Sequence, residues 1–228
     1  MLNGVHSFSR ASCRSCFACT QVCPGHALEG CGESLSADEV MKYIRRDRRM
    51  CEAAGGGVTF SGGEPTAQFD FLLELIRRCK EDGIHVCLET CGYTSGENIR
   101  ALAGLVDLFL FDIKETAPEK HRQFTGADSA RILHNLRLLD ALGAPTVLRC
   151  PVIPGYNDRT DHFRRLGALA DSLSNVQEIH LEPYHALGED KQAALGKSPV
   201  AIPQPSEETI SGWLEAVQAC TVKIVKRA

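Results

Sequence analysis

A chain of 228 residues with 43% hydrophobic and 24% charged residues has the makeup of a globular protein with one sizeable core. Its net charge of −4 gives no support for a general nucleic-acid binder, and no apolar run is long enough to cross a bilayer. Met1-Leu2-Asn3-Gly4-Val5-His6 lacks the basic and apolar regions of an export signal, and eleven cysteines, an odd number, argue against a disulfide scaffold. A reducing cytosol is expected.

Taken in chain order, residues 1–34 are rich in Cys, Gly and Ser and carry no sustained helical or strand period. They form the first of two predicted divisions, and residues 35–228 form the second. Within the first lies Cys13-x2-Cys16-x2-Cys19-x3-Cys23-Pro24, which matches the bacterial ferredoxin run. Three cysteines spaced by two residues let one loop reach several irons of a [4Fe-4S] cluster, and thiolate stabilises tetrahedral iron. Structural zinc is the alternative, but zinc sites use two separated pairs of ligands. A single run leaves open whether Cys23 closes the set or Cys31 takes its place.

From residue 35 onward, short apolar runs alternate with amphipathic stretches. Ser36-Ala37-Asp38-Glu39 reads as a capping box opening a helix to about residue 50. A strand follows at Val58–Phe60, and Phe69, Leu72, Leu73, Ile76 and Cys79 have helical spacing. Further strands are predicted at residues 84–88, 108–111, 146–148 and 178–181, with helices over 132–142, 163–173 and after Ser206; residues 221–225 are a candidate last strand. The alternation implies right-handed βαβ units and a parallel sheet.

The strand ends carry the polar residues. In order they run into Ser61-Gly62-Gly63-Glu64-Pro65, Glu89-Thr90, Asp112-Ile113-Lys114, Arg149, and Glu182-Pro183-Tyr184-His185. Five successive strands delivering ionisable groups to one rim predict a shared ligand pocket. Carboxylates at Glu64, Glu89 and Asp112 suit an ammonium group or a hard cation, while Lys114 and Arg149 suit a carboxylate and His185 a hydrogen bond. An amino-acid moiety is the simplest ligand that fits.

These pieces, in this order, resemble the glycyl-radical-enzyme activating enzymes of the radical S-adenosylmethionine superfamily. The most specific stretch is Gly55-Gly56-Gly57-Val58-Thr59-Phe60-Ser61-Gly62-Gly63-Glu64-Pro65, joined by Glu89-Thr90-Cys91-Gly92-Tyr93, Asp112-Ile113-Lys114, Arg149-Cys150-Pro151-Val152-Ile153-Pro154-Gly155 and Glu182-Pro183-Tyr184-His185. The resemblance implies an α/β fold, a partial (β/α) barrel with about five of six strands present and an N-terminal ferredoxin-like iron–sulfur segment. It implies that Gly62, Gly63 and Glu64 receive the methionine amino group of S-adenosylmethionine, that Lys114 takes its carboxylate beside Asp112, and that Arg149 and His185 make further contacts. Glu89, Thr90 and Asp112 would hold a monovalent cation, and Cys13, Cys16, Cys19 and Cys23 a [4Fe-4S] cluster. The implied reaction is reductive cleavage of S-adenosylmethionine to a radical that takes hydrogen from a glycine of a partner glycyl-radical enzyme, with a flavodoxin- or ferredoxin-type reductant. Such enzymes carry Cys-x3-Cys-x2-Cys ahead of the insert, and these 228 residues have no such spacing. The chain is therefore expected to begin inside the insert, without the first strand and the cleaving-cluster cysteines. The alternative is a non-catalytic iron–sulfur electron-transfer or binding protein derived from that fold.

Overall fold

The computed structural model describes residues 8–188 and 202–228; Met1–His6, searched above for an export signal, lies outside the described residues. Contacts divide the chain into two compact units, Met1–Ser36 and Ala37–Ala228. In the first, a 3-10 turn (Arg10–Ser12) and a single helical turn, α1 (Ala18–Gln21), lie among the cysteines, and neither buries a residue.

The second unit is built on six strands: β1 (Val58–Phe60), β2 (Val86–Thr90), β3 (Leu108–Asp112), β4 (Thr146–Val152), β5 (Val176–Pro183) and β6 (Ile224–Arg227). All pair in parallel, and their order in the sheet is their order in the chain. The helices are α2 (Ala37–Ala53), α3 (Phe69–Glu81), α4 (Gly96–Ala103), α5 (Pro118–Thr125), α6 (Ser129–Ala141), α7 (Thr160–Asp171) and α8 (Glu207–Gln218). The first five strands lie where the apolar runs place them, and the C-terminal candidate forms the sixth. Strand β4 runs on to Val152, beyond the predicted end, because parallel pairing continues through Pro151↔Glu182 and Val152↔Pro183. Pro151 reads in sequence as a stop. Arg149 is thus inside a strand and not at its end.

Helices α4 and α5, eight residues each, were not anticipated because so short a stretch shows little period. Their starts are marked nonetheless. Ser95 Oγ accepts from Asn98 N at 3.1 Å, and Pro118 opens α5. Ser206 caps α8 in the same way, accepting from Thr209 N at 3.2 Å.

Sequential order and right-handed crossovers together decide the layering. Every step moves the same way across the sheet, so the connecting helices all fall on one face. The core lies between sheet and helices: Leu88, Phe109, Phe111, Leu148 and Ile179 from the strands meet Ile76, Ile99, Leu102, Leu136, Leu139 and Leu166 from the helices, all at most 1% exposed. The opposite face of the sheet is left for something other than helix. A separate cleft of about 540 Å³ opens between α2 and the start of β1, near Tyr43, Arg48, Cys51 and His85. It contains none of the rim residues named above.

Candidate functional site

On a strand, alternate side chains face opposite ways. Glu89 on β2, Asp112 on β3, Arg149 and Pro151 on β4, and Glu178, His180 and Glu182 on β5 are only half-buried, while the residues between them are buried in the helix-covered core. The open face therefore carries a polar stripe, and its upper part is a row of charges. The Arg149 guanidinium bridges two carboxylates: Nη1 pairs with Glu89, and Nε donates to Glu182. Burial alone would favour loss of its proton, but the Glu182 and Glu89 carboxylates outweigh that and hold the charge. The sequence places Glu182 at the rim together with His185 but gives it no role there. Its signal was the alternation Glu178, His180, Glu182 in register with Arg149.

Asp112 lies across the sheet from Arg149, its Cα partner in the ladder. One carboxylate oxygen, Oδ2, is 3.5 Å from Lys114 Nζ; the other, Oδ1, is buried with no hydrogen-bond partner. Burial raises the Asp112 pKa, Lys114 and Arg149 oppose the rise, and Glu182 and Glu89 add to it; the net shift is upward. A carboxyl whose folded pKa is raised favours the fold while protonated, and that contribution is lost as pH rises through the folded pKa. At neutral pH Asp112 is therefore a cost to the fold. Asp112→Asn is expected to stabilise the protein by on the order of 1 kcal/mol at pH 7. The gain should shrink toward zero as pH falls below the ordinary carboxylate range. Urea melts at pH 7 and pH 4 check this, and an equal gain at both would remove the ionised carboxylate as the cause.

Glu64 anchors the Gly-Gly loop. Its Oε1 accepts from Thr66 N (3.1 Å), Thr66 Oγ1 (2.6 Å) and Thr90 Oγ1 (2.8 Å), and Oε2 accepts from Cys91 N at 2.9 Å. Burial pushes its pKa up, but the bonds from Thr66, Cys91 and Thr90 outweigh that and hold it below the usual carboxylate range. The carboxylate caps the 3-10 turn Pro65–Gln68 and ties it to the end of β2. Gly62 has φ +143°, which disfavours a side chain, and neither Gly62 nor Gly63 has an atom within 4 Å of where a Cβ would stand. Two exposed glycines thus leave bare backbone facing open space.

The other expected residues are placed as follows. Lys114 is exposed, with its carbonyl accepting from Asn157 Nδ2 at 2.9 Å. His185 is exposed just past β5. Thr90 is buried on the helix-covered side, where its hydroxyl donates to Glu64 and accepts from Gly92 N at 2.9 Å. Glu89 faces the other way, to Arg149, so the side chains of Glu89, Thr90 and Asp112 do not share one point. Asn135 lay outside the sequence reading: its Nδ2 donates to Gly92 O (2.8 Å) and Thr94 O (2.9 Å), shaping the loop beyond β2.

In the first unit, Ser15, Phe17 and His26 have φ of +53°, +57° and +47°, and among the described residues no other non-glycine has positive φ. Such turns aim backbone N–H groups inward. Ser15 N donates to Cys13 Sγ and Ala27 N to Cys23 Sγ, each at 3.3 Å. Cys23 is held below the usual thiol range, chiefly by the Ala27 and Leu28 amides. Thiolate ligands need such donors, so the chemistry of the segment suits iron–sulfur ligation. Among the described residues, no three His, Cys, Asp or Glu side chains are gathered to hold a metal.

A six-stranded parallel sheet with one polar face and a buried, unpartnered carboxylate oxygen at its C-terminal rim is an α/β architecture of the kind that binds ligands at that rim. Residues 10–166 match the Radical SAM superfamily. The chain is 37% identical to the isethionate sulfite-lyase activating enzyme of Nitratidesulfovibrio vulgaris, covering 94% of this chain and 70% of that protein. It is 39% identical to the trans-4-hydroxy-L-proline dehydratase activating enzyme of Clostridioides difficile, covering 89% and 78%. A crystallised domain of pyruvate-formate lyase-activating enzyme from Bacteroides vulgatus is 28% identical and superposes with a TM-score of 0.63 over 75% of this chain and 98% of that domain. The chain belongs to the radical SAM superfamily and, within it, to the glycyl-radical-enzyme activating enzymes. Enzymes of this family use a [4Fe-4S] cluster and S-adenosylmethionine.

Proposed function

We propose that this chain binds S-adenosylmethionine at the rim of its sheet and serves as an activating enzyme for a glycyl-radical enzyme. The observation that carries the reading is Asp112 Oδ1, buried without a partner beside Lys114 and on the open face of the sheet. An unpaired buried acceptor costs free energy until a donor arrives, and an ammonium group supplies one. Lys114 Nζ, exposed and paired to Asp112 only at 3.5 Å, can turn to a carboxylate. The bare backbone at Gly62 and Gly63 allows close approach of the same moiety, and Glu64 keeps that loop in place. Arg149, held from two sides, presents a fixed positive charge, and His185 lies exposed on the rim.

A [4Fe-4S] cluster and S-adenosylmethionine, when bound, would supply radical chemistry directed at a backbone glycine of the partner, with Gly62, Gly63, Asp112 and Lys114 holding the methionine end of the cofactor. Cys13, Cys16, Cys19 and Cys23 are the ligands we assign to a [4Fe-4S] cluster, with a flavodoxin- or ferredoxin-type protein as electron source. The 228 residues contain no Cys-x3-Cys-x2-Cys, so no cleaving-cluster triad is assigned to them. None of the eleven cysteines is paired in a disulfide, which supports a cytoplasmic setting, and no helix among the described residues is long and apolar enough to cross a membrane.

The test has two stages. Equilibrium dialysis with labelled S-adenosylmethionine should show binding that Lys114→Ala and Asp112→Ala weaken by about tenfold or more. The protein is then reconstituted with iron and sulfide, reduced, and assayed for 5′-deoxyadenosine. Absence of binding overturns the cofactor reading. Binding without 5′-deoxyadenosine overturns the catalytic reading for these residues and favours an electron-transfer or binding role.

A further inference from the structure

Behind the rim lies a polar cluster that the reading above does not use. Glu115, His162 and Cys150 are 3%, 0% and 0% exposed, and they come from three segments. Glu115 follows Lys114, His162 lies in the first turn of α7, and Cys150 follows Arg149 on β4. A buried carboxylate is costly unless fully bonded. Glu115 Oε1 accepts from Thr116 N and Ala117 N, both at 2.9 Å, and Oε2 accepts from Arg159 Nη2 at 2.9 Å. Burial pushes the carboxyl up, but the Ala117 amide and the Arg159 guanidinium outweigh that and hold it below its usual range.

Both ring nitrogens of His162 are engaged. Nδ1 lies 3.2 Å from Thr116 N, 2.9 Å from the Thr116 hydroxyl and 3.3 Å from Glu115 Oε1. On the other side of the ring Nε2 lies 3.3 Å from Cys150 Sγ. Burial lowers the imidazole pKa more than Glu115 raises it, in keeping with a neutral ring. Asn157 joins the same region: Nδ2 donates to Lys114 O and Pro151 O, and Oδ1 accepts from Ile153 N at 2.7 Å.

The cluster thus holds the side chain that follows each cation of the rim, Glu115 after Lys114 and Cys150 after Arg149. Neighbouring side chains on a strand point to opposite faces, so a hold on Cys150 in the core fixes the direction of Arg149 on the open face. We propose that Glu115 and His162 are positioning residues that set Lys114 and Arg149 for the ligand. This rests on the cofactor reading for its binding readout only; the setting of Arg149 is a property of the free protein.

The experiment compares His162→Leu, which removes donor and acceptor, with His162→Gln, which keeps one of each. In the free protein, the NMR signal of the Arg149 Nε–H, held by Glu182, reports its setting. His162→Leu should speed solvent exchange of that proton by about tenfold and weaken S-adenosylmethionine binding by a similar factor, while His162→Gln stays within about threefold of the parent. A folded His162→Leu protein with the parent's Arg149 signal overturns the proposal, as does a His162→Gln protein as impaired as His162→Leu. Should His162→Leu fail to fold, Cys150→Ala removes the Nε2 partner at small volume cost and should loosen the same signal; an unchanged signal overturns the proposal. If the parent binds no S-adenosylmethionine yet the Arg149 signal responds as expected, the positioning role stands and the cofactor reading falls.

Discussion

Arg149→Met is expected to destabilise the fold by about 3 kcal/mol, lowering Tm by roughly 6–12 °C, and to abolish S-adenosylmethionine binding. The reason is what it leaves behind. Glu89 and Glu182 have 29% and 23% of their side chains exposed, so two carboxylates would face each other with little water and no cation between them. Arg149 itself is 18% exposed, which puts the cost near the lower end of the range for a broken buried pair. Lysine restores only part of it, because one ammonium cannot present the guanidinium's separate donors to both partners. The decisive variant is triple, Glu89→Gln with Arg149→Met and Glu182→Gln. If uncompensated charge is the cause, the triple variant recovers most of the lost stability in urea melts. A single variant that melts within 1 kcal/mol of the parent would mean, in turn, that the clamp is water-screened and contributes little.

Gly92→Ala should be comparably severe for a steric reason. Gly92 has φ +69°, and a Cβ there would stand 2.6 Å from Phe111 Cε2 and still nearer Cζ. Phe111 is fully buried, so it cannot swing into solvent. Left-handed backbone for a non-glycine and overpacking together come to about 3 kcal/mol. The loop also loses its register, since Gly92 N bonds Thr90 Oγ1 and Gly92 O accepts from Asn135. Adding Phe111→Leu should return a measurable part of the loss, and a double-mutant cycle by thermal melts measures how much. Strict additivity would place the cost in the backbone alone.

The parallel sheet was legible because each strand is a short apolar run ended by a polar pair, a pattern contained within a few residues. The rim was legible for the same reason, since Gly62-Gly63-Glu64 and Asp112-Ile113-Lys114 are local words. What each residue does there was less so. Glu64 reads as a ligand contact, yet its oxygens are bonded to Thr66, Thr90 and Cys91, the last two 26 and 27 residues away. Thr90 reads as a ligand to a cation beside Glu89, but adjacent strand residues face opposite sides. Glu115 and His162 gave no signal at all. Their partnership spans the whole of α5, α6 and β4, and only the folded register brings them within 3.3 Å.

Because strand order repeats chain order, each strand needs only the next βα step to complete a pairing, and no ladder waits for a distant part of the chain. Each ladder thus closes over a single βα crossover, the shortest loop a parallel pairing allows. During synthesis β1 can pair once β2 emerges, and each later strand finds its edge already formed. The ladder is shortest at β1, three residues, and longest between β4 and β5. The growing chain therefore adds its longest pairing late, after the end of β3 that carries Asp112 and the following Lys114 have left the ribosome. Until Glu182 arrives on β5 to close the bridge from Glu89 through Arg149, that half of the rim is a vestibule without its keystone.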